Sequence, residues 1–514
     1  MPKLLRQPLQ RPTPSRMGRR LMRAAVLVLL AVLSACQVVR TTPNPTSAEA
    51  QTEAAAQATR TPRPRGASTS TALPSPTPTR AITLAPSALR GQVVQFWHPY
   101  TGAAQVLLDK LTQEFNQTNR WGIRVENTSV PGFTVLEERL RQAVQAQAGD
   151  ELPDVWPMST SQALLLDANG EVITDLQPYV ADAEYGLTAA EQADFLPALW
   201  AQDHIPALAV KGRSSPDGKR LGLPWVRTGM LLLYNRTWAQ ELGYPSPPLS
   251  STGFRDQACA TGKANRTDRD RQNDATGGWL VTGDPAELAG WIYAFGGDFN
   301  RPDGRGYQFD TPEARQAVEF IQALHRQGCA WAGAAAPAEA FTARQALFVA
   351  VSLSSLEELQ SALADSSDEW LLLPFPAEQA SGMPAVVAYG PSLVVAQSKP
   401  APQLAAWLFV RWLASPESQA RWAQLNHAFP TRLSALDHLQ TTSSRDAGGQ
   451  TWRLSLEYLP SLRPEPYYAS WGTVRWSLGD ALNQLMLPDM TVDKSLQVLQ
   501  LLDELAAEVH VQVR

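Results

Sequence analysis

A chain of 514 residues is longer than a single hydrophobic core supports, so two or more domains are expected. Apolar content of 44% and a charged fraction of 18% are those of a soluble globular protein. A net charge of −5, without a basic stripe or an aromatic RNA-binding motif, argues against nucleic acid as a partner.

The first 36 residues read as an export signal. Arg16, Arg19, Arg20 and Arg23 precede the apolar run 24–33, and Leu33-Ser34-Ala35-Cys36 follows. A basic start, a short apolar stretch and small residues before a cut site define a secretory leader. The run is about half of the roughly 20 residues that a membrane span needs. Leu-Ser-Ala-Cys resembles the lipobox of bacterial lipoproteins, which implies cleavage before Cys36 and lipidation of its thiol. A protein so modified is lipid-anchored to the membrane from outside the cytoplasm. A plain leader with an incidental cysteine is the alternative.

Residues 37–90 are rich in Thr, Ser, Ala and Pro and poor in large apolar side chains. Such a segment cannot offset its ordering entropy and is expected to be a disordered tether. Outside the cytoplasm the remaining cysteines, Cys259 and Cys329, are expected to form a disulfide, with two free thiols as the other reading. The bridge would join a polar loop over 254–276 to a helix end.

From residue 91 strand and helix patterns alternate. Strands are expected at 92–97, 123–127 and 153–158, and helices at 103–117 and 133–148. Ser159-Thr160-Ser161 is expected to cap the next helix. This repetition predicts an α/β lobe over 91–222, built on a mainly parallel sheet. Ligands of open α/β sheets bind beyond the carboxyl ends of the strands. That rule points to Trp97, His98 and Tyr100 in one place and Ser159 and Thr160 in another. His98 could be a base or a ligand group, but a lone His is more often a hydrogen-bonded loop residue.

Residues 222–235, GLPWVRTGMLLLYN, carry the central signal. Gly222 and Pro224 break what precedes them, and the run 230–234 is too short for a buried helix and fits a fully buried strand. Here the chain is expected to cross to a second lobe, mainly over 223–385. Trp279 lies in an expected strand at 277–281, and Trp291 in a helix at 284–295. Thr311-Pro312-Glu313 is a strong helix start. The strand pattern at 386–395 is interrupted by Tyr389-Gly390-Pro391, where the chain should cross back. Gly390 permits close approach of its backbone to a cleft ligand or marks a simple bulge. Residues 386–514 are then expected to return to the first lobe and finish in helices, the last over 496–509.

No catalytic, metal or cofactor motif is present. HExxH, GxSxG and paired CxxC are absent. The glycine-containing stretch 212–220 has the wrong spacing for a phosphate loop. At 298–304 Pro302 stands where a calcium ligand belongs.

Several stretches in collinear order carry a resemblance. They are Phe96-Trp97-His98, Glu114-Phe115-Asn116, Pro153-Asp154-Val155, Leu223-Pro224-Trp225 with Leu233-Tyr234-Asn235, and Gly296-Gly297. Phe309-Asp310-Thr311-Pro312-Glu313-Ala314, Ser415-Pro416-Glu417-Ser418-Gln419 and Phe429-Pro430-Thr431-Arg432 continue them. Over roughly 91–435 the chain is similar to extracellular solute-binding proteins of the sugar-binding type, which serve ABC importers. The resemblance implies an α/β fold of the two-lobed periplasmic-binding-protein kind (type II), with a hinge of crossing strands and a ligand cleft between the lobes. It implies a small-molecule solute, a sugar or oligosaccharide, and ABC transporter permease subunits as partners. Catalysis and a cofactor are not expected, and a monomer is. Trp97, Tyr100, Trp225, Trp279 and Trp291 are the expected aromatic walls, each with core packing as its other reading. His98, Ser159, Thr160, Arg227 and the Gly390 amide are the expected polar contacts. Arg227, or the helix amides near Ser159, would suit the phosphate of a glycerol-phosphate-type solute. A secreted carbohydrate-active hydrolase and a non-transport receptor are the rival functions.

Overall fold

The computed structural model describes residues 82–146, 151–206, 218–439 and 447–513. The leader, Cys36, most of the tether and most of the stretch 212–220 lie outside the described residues. The end of the expected tether does not. Residues 86–89 form a 3-10 turn, Leu89 is buried in the first core, and the Ile82 N–H donates to Asp182 at 2.9 Å. Ile82, Leu84 and Leu89 supply enough apolar surface to hold this segment down.

The first lobe is a sheet of five strands in the order 124–129, 93–98, 155–158, 392–395, 223–224. The first three run parallel, and 392–395 is antiparallel to both of its neighbours. Helices Gly102–Thr118 and Pro400–Leu413 bury Leu108, Leu111, Phe115, Trp407 and Phe409 on one face. Helix Phe133–Gln145 buries Leu136, Leu140 and Val144 in a separate cluster with Trp156 and Met158.

The second lobe is organised around Val226–Asn235. The half at 230–235 pairs with 348–352 on one side and 370–373 on the other, and the half at 226–230 pairs with 429–430 and 386–389. A strand paired on both edges and covered on both faces needs a continuous apolar run, and Met230–Tyr234 supplies it.

Three segments join the lobes. Leu223-Pro224 pairs in the first sheet, and the chain enters the second at Val226. It comes back between Tyr389 and Ser392. Helix Pro416–Asn426 leads to Phe429-Pro430, which pairs with Val226 and Arg227. The Thr431 hydroxyl there lies 3.1 Å from the Pro224 carbonyl and 3.0 Å from that of Trp225. The strands therefore cross as an antiparallel pair with a third short partner, the geometry of a hinge.

Two expectations fail here. Most of the stretch 254–276 is not a loop: Ser251–Thr267 is a helix, capped by Ser250 accepting from the Gly253 N–H, and only 268–276 is irregular. Its buried face after Phe254 is made of Gln257, Ala258, Thr261, Gly262 and Asn265, too small and polar to give an apolar stripe. Cys259 of this helix is disulfide-bonded to Cys329. The chain end also departs from a return to the first lobe. Helices Trp471–Leu485 and Val492–Val513 pack into the second-lobe core through Trp471, Leu478, Leu482, Leu499 and Leu502. Leu505 of the last helix is exposed.

Candidate functional site

A cleft of about 660 Å³ opens where the strands cross, within the roughly 300–1,000 Å³ typical of small-molecule sites. Its floor is Val226, Arg227 and Thr228 from the first crossing and Tyr389, Gly390 and Pro391 from the second. The first lobe contributes Tyr100, Phe133, Glu137, Ser159, Ser161 and Trp422. The second contributes Ser354, Glu465, Trp471, Arg475 and Trp476. The two lobes approach at one rim, where a side chain added to Gly472 would meet Gln162 Nε2 at 2.7 Å.

The floor is a buried polar cluster. Arg227 donates through Nη1 to the Pro391 carbonyl at 2.7 Å, and through Nη2 to Ser392 Oγ at 2.9 Å and Gln202 Oε1 at 3.2 Å. Asp203 lies 3.9 Å from the guanidinium and accepts hydroxyl hydrogen bonds from Thr160 and Ser392, each at 2.5 Å. Both charges are inaccessible to solvent. Burial pulls the Arg227 pKa below its usual range, with Asp203 opposing. Gln202 also donates to the Glu465 carbonyl at 2.9 Å, so the cluster reaches from a first-lobe helix start to the second-lobe wall.

Aromatic rings form the walls. Tyr100 packs edge-on to Trp422 at 4.6 Å, Trp225 at 5.9 Å and Phe133 at 5.8 Å between centroids. Across the cleft the Arg475 guanidinium lies 5.9 Å from the Tyr389 ring and 5.5 Å from that of Trp476. Arg475 pairs with Glu465 at 3.2 Å. Burial raises the Glu465 pKa, and Arg475 pulls it down.

The expected site residues separate into two groups. Tyr100, Ser159, Arg227 and Gly390 line the cleft. Trp225 does not: it is fully buried 4.5 Å from Trp422, behind the wall. Thr160 lies beneath the floor on Asp203, and Ser159 makes no side-chain cap, so the expected hydroxyl capping of that helix is absent. Trp279 and Trp291 pack edge-on against Phe254 inside the second-lobe core, far too enclosed to meet a guest. Trp97 is half-buried against the first-lobe cluster around Trp156 and is not part of the cleft lining. His98 is buried below Tyr100, and burial lowers its pKa to about 4, with Asp109 opposing. The close approach at Gly390 is to the other crossing strand. At φ +135°, an added Cβ would lie 3.2 Å from the Val226 carbonyl.

Trp422, Glu465, Trp471, Arg475 and Trp476 were not legible as site residues. Four of them fall after residue 464, beyond the end of the motif-bearing stretch. Among the described residues no group of three or more His, Cys, Asp or Glu side chains is placed to hold a metal ion, and no helix is long and apolar enough to cross a membrane.

Two α/β lobes, a hinge of crossing strands and an aromatic cleft over it define a two-lobed solute-binding fold. The family model of bacterial extracellular solute-binding proteins matches residues 110–447. The chain belongs to that family. Solved structures agree on the fold. A cyclic α-maltosyl-1,6-maltose binding protein from Arthrobacter globiformis matches at TM-score 0.64 and 18% identity, covering 81% of this chain and 98% of that one. The sugar-binding protein MalE from Xanthomonas citri matches at 0.63 and 20% identity, covering 82% and 98%. UgpB from Mycobacterium tuberculosis, solved with glycerophosphocholine, matches at 0.56 and 17% identity, covering 82% and 100%. No curated protein matches the chain.

Proposed function

We propose that this protein captures a sugar or oligosaccharide by closing its lobes over the cleft and delivers it unchanged to the permease of an ABC transporter. The observation that carries this reading is the cleft itself: aromatic faces from both lobes over a floor made of the hinge strands. Sugars offer apolar C–H faces and a rim of hydroxyls, which suit ring walls and a few placed polar groups. A guest touching both lobes binds the closed state better than the open one, and that difference drives closure. The sugar ligands named for the Arthrobacter and Xanthomonas proteins support the same reading. The Cys36 lipid anchor would hold the protein at the membrane beside its permease.

A thermal-shift screen of mono- and oligosaccharides tests the proposal, because a ligand of the native state raises its melting point. The expected result is at least one saccharide that raises it and is recovered chemically intact after incubation. A saccharide that is cleaved would overturn the binding reading in favour of a hydrolase. Metabolic labelling with a radioactive fatty acid, lost in Cys36→Ala, tests the anchor.

A further inference from the structure

Building on that reading, the charges around the cleft narrow the solute. Four ionisable side chains line it: Glu137, Arg227, Glu465 and Arg475. Arg227 is only 1% exposed, and its charge is balanced by Asp203. Arg475 is balanced by Glu465 at 3.2 Å. When each guanidinium is counted with its own carboxylate, Glu137 is left over. It projects from the first-lobe helix Phe133–Gln145, and among the described residues it has no hydrogen-bond or ion-pair partner. Its half-buried carboxyl is raised above its usual range by burial alone. A carboxylate in a cleft wall with no protein donor on it among the described residues is free to accept from a guest that displaces its water.

We infer that Glu137 sets the charge of the solute: the site takes an uncharged or amino-bearing saccharide, whose hydroxyl or ammonium donors close on the Glu137 carboxylate, and excludes phosphorylated solutes. A phosphate would meet an unbalanced like charge and find both guanidinium groups already neutralised. An ammonium would gain a charge-assisted hydrogen bond on the same oxygens. The helix amides near Ser159 do not reverse this, because they are neutral donors that serve sugar hydroxyls equally well.

The experiment is a thermal-shift and calorimetric comparison of matched probes at pH 7.5: maltooligosaccharides, chitosan oligosaccharides, glucose 6-phosphate and glycerol 3-phosphate. The expected result is binding of a neutral or amino saccharide and no response to either phosphate. Glu137→Gln should weaken the hit by about 10- to 100-fold, the loss of a hydrogen bond to a charged acceptor. Its unliganded melting point should be unchanged, since Leu136, Leu140 and Val144 still hold the helix. Glu137→Lys should abolish an ammonium ligand and admit phosphate. Stronger binding of a phosphate by the unaltered protein overturns the inference while leaving solute capture standing. So does full affinity for the hit in Glu137→Gln. No response to any probe sinks the inference together with the saccharide reading on which it rests.

Discussion

Arg227, on the strand that leaves the first lobe, donates a hydrogen bond of 2.7 Å to the carbonyl of Pro391, on the strand that comes back. This bond ties the two crossings together directly beneath the cleft. Its guanidinium is held in turn by Ser392, Gln202 and the charge of Asp203. The hinge is thus a pair of strands pinned by a buried cation, and bending has to occur around that pin.

Removing the cation strands the Asp203 charge in a dry site. Arg227→Met should destabilise the protein by about 3–5 kcal/mol, measured as a drop in the urea midpoint. Adding Asp203→Asn should recover part of that loss, because no unpaired charge remains. If the single substitution unfolds at the same urea concentration as the unaltered protein, the pin does not exist.

Trp225 and Trp476 should behave in opposite ways. Trp225 is fully buried behind Tyr100 and Trp422, so Trp225→Ala should cost about 3–5 kcal/mol of stability. Trp476 is 62% exposed on the cleft wall, so Trp476→Ala should change stability by less than about 0.5 kcal/mol and still weaken ligand binding. Paired urea melts and calorimetric titrations separate the two. Equal stability losses would remove Trp476 from the wall.

Glu287 gives a pH signature. It is fully buried, accepts from the backbone N–H groups of Thr282 and Gly283, and burial pushes its pKa from 4.5 up to about 8. The folded state then holds a proton that the unfolded chain releases above pH 4.5, so stability contributed by this group is full below pH 4.5 and declines toward pH 8. His98 works with the opposite sign. Its pKa is lowered from 6.5 to about 4, so stability grows as pH rises between those values. Urea midpoints between pH 6.5 and 8 should therefore fall in the unaltered protein and fall less in Glu287→Gln. Parallel pH profiles for the two proteins would contradict the assignment.

The Cys259–Cys329 bridge spans 70 residues and joins the helix Ser251–Thr267 to the end of Pro312–Arg326. Closing a loop of that length should contribute about 4 kcal/mol in the chain-entropy account. Reduction, or Cys259→Ala with Cys329→Ala, should lower the urea midpoint accordingly while the saccharide affinity at low urea is kept. A large loss of affinity without a stability change would assign the bridge a role in the cleft.

The alternation of short apolar runs and helical spacing sufficed to read the lobes. Met230–Tyr234 is apolar at every position because the strand is enclosed on both faces, and that leaves a direct mark in the sequence. Gly390 and Pro391 marked the return crossing for a similarly local reason: a backbone at φ +135° beside the Val226 carbonyl favours glycine. The helix Ser251–Thr267 was hidden because its buried face is built from small and polar residues. Its apolar contrast is too weak to stand out from a loop.

The site was legible only in part, and the reason is the ambiguity of tryptophan. The same ring serves a core and a sugar wall, so sequence gave no means to tell Trp279 and Trp291, enclosed in the second core, from Trp422 and Trp476, which reach the cleft. Local pattern, set by the pleat of a strand and the turn of a helix, determined the lobes, the crossings and the family resemblance. Which side chains face one another across the cleft was decided by the tertiary structure alone. Glu465, Arg475 and Trp476 share a cleft with Glu137 and Tyr100 only because the last helices fold back onto the second lobe, bringing segments more than 300 residues apart in sequence to one cavity, which no local pattern encodes.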